Sequence, residues 1–225
     1  MILPTVTVHR IGDEGEPVAV IENFAPDPGA LRDDAATRLF SPDAGHYPGV
    51  KAAVGQDYLT RQWSVLAPIF KQVFGISDKV AVLDATYALV TAAPDALTLE
   101  QRLPHVDALE PGRIALIHYL MPDGGDGTAF YRHRSSGFET IDRARSAAYF
   151  AALNEDLRMH GPPPPAFLKG STAMFEQTGH FEGQFNRALV YRSRILHSGA
   201  IGGDQPLTAD PKTGRLTITG FFAAD

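Results

Sequence analysis

From about residue 100 onward the chain is a succession of short β-branched and aromatic runs separated by Gly, Pro and Asp: RIALIHYLM, GTAFYRHR, AFLKGSTAMFE, FEGQFNRALVYRSRILH and RLTITGFF. Strands this short bury little surface by themselves and must pair with distant segments, so the pattern predicts a β-barrel or sandwich. One helix interrupts it at about 139–158, where Ile141, Ala144, Ala148, Ala152 and Leu153 form a stripe and Gly161 lies beyond the end.

The first 99 residues read as a mixed, largely helical support. EPVAVIENF reads as a strand. After it Asp27 can cap a helix that begins at Pro28 and carries Leu31, Ala35 and Leu39 on one stripe. DYLTRQWSVLAPIFKQVFG has Leu59, Trp63, Leu66, Ile69 and Val73 at helical spacing, with a kink or break expected at Pro68, and KVAVLDATYALVTAA reads as strand, with a helix as the alternative. GPPPPAF, 161–167, is a stiff connector, and no repeat of fixed period appears. At 225 residues the expectation is a single domain, 1–225, of class α+β, with N-terminal helices supporting a β core over 100–225.

The formal charge of −6, without a basic run, speaks against nucleic acid as a partner. The absence of cysteine excludes disulfides and thiolate chemistry, so a metal must be held by His, Asp and Glu. The start MILPTVTVHR has no cationic and apolar leader pattern, and the apolar run 114–121 is too short to span a bilayer. A soluble, cytoplasmic protein with small-molecule or protein partners and no membrane contact is expected; its oligomeric state is not legible.

The candidate chemistry lies in RLPHVDALEPG, 102–112, where His105 and Asp107 are two apart. On a strand such residues share a face with Cα atoms roughly 6–7 Å apart and can converge on one ion. Two histidines and one carboxylate make the facial triad of non-haem Fe(II) sites, which leaves coordination positions open. Eight histidines and 26 acidic residues in 225 yield about one His-x-acid pair by chance. There are two here, the other being His180 and Glu182. Context favours the first pair: His197 in RILHSG lies 90 residues beyond Asp107, room for several strands, but only 15 beyond Glu182. His180 and Glu182 are read as a solvent-facing pair.

In RLTITGFF the period of two puts Arg215, Thr217, Thr219 and Phe221 on one face, and in IALIHYLM it groups Ala115, Ile117 and Tyr119. An arginine inside a barrel needs an anion, and its planar fork suits a carboxylate. Arg215 is therefore a candidate anchor for a dicarboxylate, aided by Thr219 and Tyr119, if that face is interior.

These blocks resemble the 2-oxoglutarate and Fe(II)-dependent oxygenases, in particular the prolyl-hydroxylase-like branch: HVD (105–107), IHYLM (117–121), GGDGTAFYRHR (124–134), NRALVYRSRILHSG (186–199) and GRLTITGFF (214–222) occur in the order found there. GTAFYRHR and LHSG further resemble a bacterial subfamily of these enzymes. The resemblance covers roughly residues 100–222. It implies a double-stranded β-helix, a cupin-like jelly roll, with Fe(II) on His105, Asp107 and His197. It also implies 2-oxoglutarate with its far carboxylate on Arg215, Tyr119 and Thr219, and a dioxygenase that releases succinate and CO2. The stretch SGAIGGDQPLTADPKTG makes the His197 to Arg215 interval longer than usual in that branch, which leaves Arg192 or Arg194 as other anchors.

Arg132 and Arg134 in YRHR share a face and, if they line the mouth, select a substrate carboxylate or phosphate; the other reading is a salt-bridged outer face beside Glu139 and Asp142. Two further function classes stand beside the oxygenase: a catalytically silent barrel that binds a metal or small ligand, and a hydrolase using Zn or Mn at the same three residues.

Overall fold

The computed structural model describes residues 2–43, 45–76, 79–203 and 206–224. In chain order its elements are β1 (Thr5–Ile11), β2 (Glu16–Glu22), α1 (Pro28–Thr37), β3 (Ser41–Pro42), β4 (Gly49–Ala53), α2 (Tyr58–Arg61), α3 (Trp63–Gln72), β5 (Val80–Val90), β6 (Arg113–Tyr119), β7 (Gly125–His133), α4 (Ser146–His160), β8 (Phe175–Gly183), β9 (Ala188–Arg192), β10 (His197–Ala200) and β11 (Leu216–Ala224). They build an eight-stranded antiparallel sheet in the order β1-β2-β9-β6-β11-β5-β4-β3 and a three-stranded antiparallel sheet in the order β10-β7-β8. The fold is thus mostly antiparallel β with few helices. Of the expected barrel or sandwich, no closed barrel forms: the two sheets stay separate among the described residues. None of the helices is long and apolar enough to cross a membrane.

Period-two alternation sorts the core into layers. From the large sheet Ala19, Ile21, Ile114, Leu116, Val190, Leu216, Ile218 and Phe222 point to one side, where they meet Leu66, Ile69 and Phe70 of α3. Their strand neighbours Val18, Val20, Ala115, Tyr119, Leu189 and Tyr191 point the other way, toward Phe130 of the small sheet. The outer face of the small sheet, through Ala129, Tyr131 and Phe175, packs on Tyr149 and Leu153 of α4. Each fully buried Leu, Ile or Phe contributes about 1.5–3 kcal/mol by leaving water, so the alternation locks the register. A one-residue slip would turn both faces inside out.

Several local expectations change in three dimensions. The first 99 residues do not only support: β1 to β5 are five of the eight strands of the large sheet. Asp27 caps α1 as expected, accepting from Ala30 N at 2.9 Å, but the helix stops at Thr37 and leaves Leu39 exposed. The second helical run breaks at Gln62, not at Pro68, which sits inside α3. Pro68 and Ser64, four residues earlier, both lie on the exposed face, so the carbonyl that Pro68 cannot satisfy is free to meet water. The helix expected at 139–158 begins only at Ser146. Ile141 instead donates its N–H to Arg194 O, and Thr140 forms a bridge with Ile195. AFLKGSTAM is not a strand; regular pairing begins at Phe175.

Candidate metal centre

HVD is not a full strand. His105 forms an isolated antiparallel bridge with His197, N–H to carbonyl at 2.9 Å in both directions, and Asp107 N–H donates to Ser193 O at 2.8 Å. Pro104 fits just before this bridge, where no donor is needed. The two-residue spacing still sends both side chains toward the same point. His105 Nε2 lies 3.8 Å from Asp107 Oδ1, His197 Nε2 lies 3.5 Å from Asp107 Oδ2, and the two rings are 4.5 Å apart. One ligand atom from each of the three residues falls within 4.8 Å of the others. His197 comes from β10, whose register sets it opposite Phe130 of β7.

The electrostatics suit a cation. His197 is buried and its pKa is pushed down to about 4, by burial first, against a small upward pull from the hydrogen bond to Ile195 O. Because a carbonyl only accepts, that 2.8 Å bond puts the proton on Nδ1 and leaves the Nε2 lone pair facing Asp107. His105 is also held at about 4, by burial first and then by repulsion from His197. Its side chain is still 54% exposed. The imidazole therefore stands at a rim: surrounding protein crowds it, yet one side opens outward. Burial raises the Asp107 carboxyl, with His105 pulling the other way. Two neutral imidazoles and a crowded carboxylate, with one side open, fit a divalent ion that keeps exchangeable positions.

Toward the interior, Tyr191 of β9 packs edge-on against His197 at 5.0 Å and against Phe130 at 5.1 Å. Its hydroxyl is pushed well above its ordinary value by burial, then by Asp107 and Tyr119. Beyond it a cluster of polar groups lies between the sheets. Arg215 is 3% exposed; its Nη2 donates to Gly127 O at 3.0 Å, its guanidinium lies 5.8 Å from the centre of the Tyr119 ring, and its buried Nε has no partner. It forms no ion pair with a carboxylate among the described residues. The Tyr119 hydroxyl shares a 2.7 Å hydrogen bond with Thr128 Oγ1. Gly127 permits the arrangement, since a Cβ there would stand 2.0 Å from Phe181 O. Gly127 and Thr128 precede Phe130, the register partner of His197, by three and two residues on β7, about 7–10 Å of strand.

Thr219 bonds Thr86 Oγ1 at 3.2 Å, so its hydroxyl is engaged within the sheet. Arg192 and Arg194 are not at this cluster: both pair with Glu16, at 3.3 and 2.7 Å. Arg132 is forked onto Glu139 at 2.6 Å with Asp13 at 2.7 Å, and Arg134 lies 3.8 Å from Glu176. Both arginines thus have acidic neighbours, as in the salt-bridged reading of YRHR. His180 and Glu182 are exposed on β8. Three residues near the site carried no sequence signal. His46 and Lys51 both act electrostatically on the triad, and Tyr47 acts on Arg215. They sit in GHYPGVK, 45–51, between the two helical runs of the N-terminal part.

Among solved structures, HygX from Streptomyces hygroscopicus with nickel, 2-oxoglutarate and hygromycin B bound is similar over 92% of this chain and 82% of its own, at 12% identity and a TM-score of 0.53. An N-substituted L-amino acid dioxygenase from Burkholderia ambifaria is similar over 98% and 95%, at 12% identity and a TM-score of 0.45. At such identity the first likeness speaks for the fold alone, and the second adds no argument. No curated protein matches the sequence. A family model described as a family of unknown function, DUF6445, matches residues 3–222. The chain, with its three ligand-type side chains gathered at the rim of a two-sheet fold, belongs to DUF6445.

Proposed function

We propose that this protein is a 2-oxoglutarate- and Fe(II)-dependent dioxygenase whose metal is held by His105, Asp107 and His197. The observation that carries the proposal is the pairing of two features in one inter-sheet space. A two-histidine, one-carboxylate cluster stands at the rim, and a buried arginine without an acidic partner lies about 7–10 Å of strand away. A buried cation with no counter-charge is costly unless an anion joins it, and a short dicarboxylate spans that interval. The 2-oxoglutarate and nickel in HygX agree with this reading. In it the two facing sheets are an open form of the double-stranded β-helix, and the motif order supports a kinship with the prolyl-hydroxylase-like branch.

Bound at the triad, Fe(II) with 2-oxoglutarate and dioxygen supplies oxidative decarboxylation to succinate and CO2 coupled to oxidation of a substrate. The chain's own residues do the rest. The Ile195 carbonyl fixes the His197 tautomer so that Nε2 is available. Arg215 holds the distal carboxylate, and Tyr119, oriented by Thr128, lies in the same cluster. Thr219 lies four residues beyond Arg215 on the same alternating face, with its hydroxyl shared with Thr86. Phe130, Leu189 and Tyr191 keep the space between metal and anchor dry, which strengthens each charge interaction there. The half-open side of His105 leaves the approach for a small-molecule or protein substrate.

The test is anaerobic addition of Fe(II) and 2-oxoglutarate, followed by oxygen. The proposal expects a visible charge-transfer band and slow succinate formation without added substrate, both lost in Asp107→Ala. A protein that binds metal but shows neither band nor succinate is a silent binding barrel, and the proposal is then wrong.

A further inference from the structure

The two sheets are unequal, three strands against eight, and part of the inner face of the large sheet is left without cover. Strand register identifies that part. Lys51 of β4 lies opposite Ala88 of β5, Ala88 opposite Thr217 of β11, and Thr217 opposite Tyr119 of β6. Tyr119 belongs to the layer between the sheets, so the whole row faces that side. The next row of the same parity is Ala53, Thr86, Thr219, Ile117 and Leu189. Leu189, at its inner end, is buried; Thr219 and Thr86 are half-buried, and Ala53 is exposed. A strip of β4, β5 and β11 thus carries the floor of the metal centre outward to solvent.

Lys51 is the only lysine or arginine in these three strands. Its ammonium is held in place: Asp43 Oδ1 lies 3.1 Å away and the Tyr47 ring 5.1 Å below. Asp43 is itself fixed, its Oδ2 accepting from Gly45 N at 2.9 Å and Tyr47 N at 3.2 Å. The β3–β4 turn is also tied to the segment that leads into the metal ligands, because Gln101 Nε2 donates to His46 O at 3.0 Å. The ammonium stands close enough to Asp107 to favour its charged form. Of the three protons on a lysine ammonium, Asp43 accepts one, and the side chain is still 25% exposed. Donors therefore remain for an acceptor lying on the strip. A single ammonium beside the Asp43 carboxylate suits a monoanion, since Asp43 repels the second charge of a phosphate.

We propose that the open strip of β4, β5 and β11 seats a small-molecule substrate and that Lys51 binds its carboxylate, so that the molecule lies beside the open side of the metal centre. The inference names the substrate class for the dioxygenase reading given above and rests on it for the oxidation, but not for the binding. Lys51 holds the substrate and does not touch the metal.

The experiment uses Co(II)-loaded protein with 2-oxoglutarate and three probes: trifluoroacetate as the carboxylate, trifluoroethanol as its neutral counterpart, and inorganic phosphate. Paramagnetic broadening of the fluorine and phosphorus NMR lines reports a probe held near the metal. Trifluoroacetate should broaden and trifluoroethanol should not. In Lys51→Met the apparent Kd for trifluoroacetate should rise about tenfold, as expected for one lost charge-assisted hydrogen bond. Lys51→Arg keeps the charge and should retain the broadening, which separates lost charge from lost packing. Equal affinity in the parent and Lys51→Met overturns the proposal, as does equal broadening of trifluoroethanol and trifluoroacetate. A loss in both variants makes Lys51 a structural residue and overturns it too, and stronger broadening of phosphate than of trifluoroacetate overturns the choice of a carboxylate. A Co(II) absorption spectrum that 2-oxoglutarate leaves unchanged counts against the dioxygenase reading alone, because the anion measurement needs only the metal.

Discussion

Replacing Arg215 by methionine separates stability from binding. The guanidinium is 3% exposed, with one hydrogen bond to Gly127 O, a face against Tyr119 and no carboxylate among the described residues. Removing it leaves Gly127 O short of a donor, a loss of about 1 kcal/mol. It also removes a buried charge, and apolar replacement of buried charges is often neutral or stabilising by about 1–4 kcal/mol. The ligand-free variant should therefore melt at or above the parent. Binding moves the other way. At a concentration about 100 times its Kd, 2-oxoglutarate stabilises the parent by about 2.7 kcal/mol. In a chain of this size each kcal/mol moves Tm by about 2–4 °C, so the parent should gain roughly 5–10 °C. The methionine variant should gain almost nothing. Scanning calorimetry of Ni(II)-loaded protein with and without 2-oxoglutarate reads both. A variant that keeps the full ligand shift, or melts several degrees lower without ligand, refutes the reasoning, because Arg215 would then be a structural residue satisfied by its neighbours.

Two further predictions concern protons. His105 and His197 sit at about 4 instead of near 6.5, so neither imidazole holds a proton between pH 7.5 and 5.5. Ni(II) affinity measured by competition should change little over that range and fall only as pH approaches 4 to 5; a decline setting in near pH 6.5 contradicts the burial argument. His118, fully buried between Tyr58 OH at 2.9 Å and Asn186 Oδ1 at 3.0 Å, is also pushed down to about 4 by burial. Its folded value lies below its unfolded one, so the unfolded chain takes up the proton first. Stability is full above about pH 6.5 and declines as pH falls toward 4, with about 2 kcal/mol lost between pH 7.5 and 5. Urea titration of metal-free protein should show His118→Gln losing less than the parent over that interval by this amount, and equal losses would remove His118 as the cause.

The His-x-Asp pair and the distant histidine were legible because the spacing of two forces a shared direction on any extended backbone, and only one of the two pairs left room for strands before the third residue. Arg215 was legible as one of an alternating set, but not as buried. The interior face of β11 is defined by what β7 places opposite it, and Gly127 O meets Arg215 across 88 residues. The rival anchors Arg192 and Arg194 could be set aside only when folding brought Glu16 between them.

Local errors follow the same division. Ile141 has the spacing of a helix position, yet its N–H goes to Arg194 O, because a bridge to a distant strand outweighs a marginal local helix. Pro68 was placed by intrinsic propensity, and the solvent on its face of α3 overrode it. The sequence by itself determined the strand periodicity, the capped start of α1, the three metal-ligand-type residues proposed for the site and the absence of thiol chemistry, since each depends on neighbours a few residues apart or on residue type. Only the tertiary structure decided that the sheets face each other without closing, that Arg215 is buried without a carboxylate among the described residues, and that Tyr47 comes near it from a turn. Burial and charge pairing are properties of segments that the chain keeps far apart until it folds.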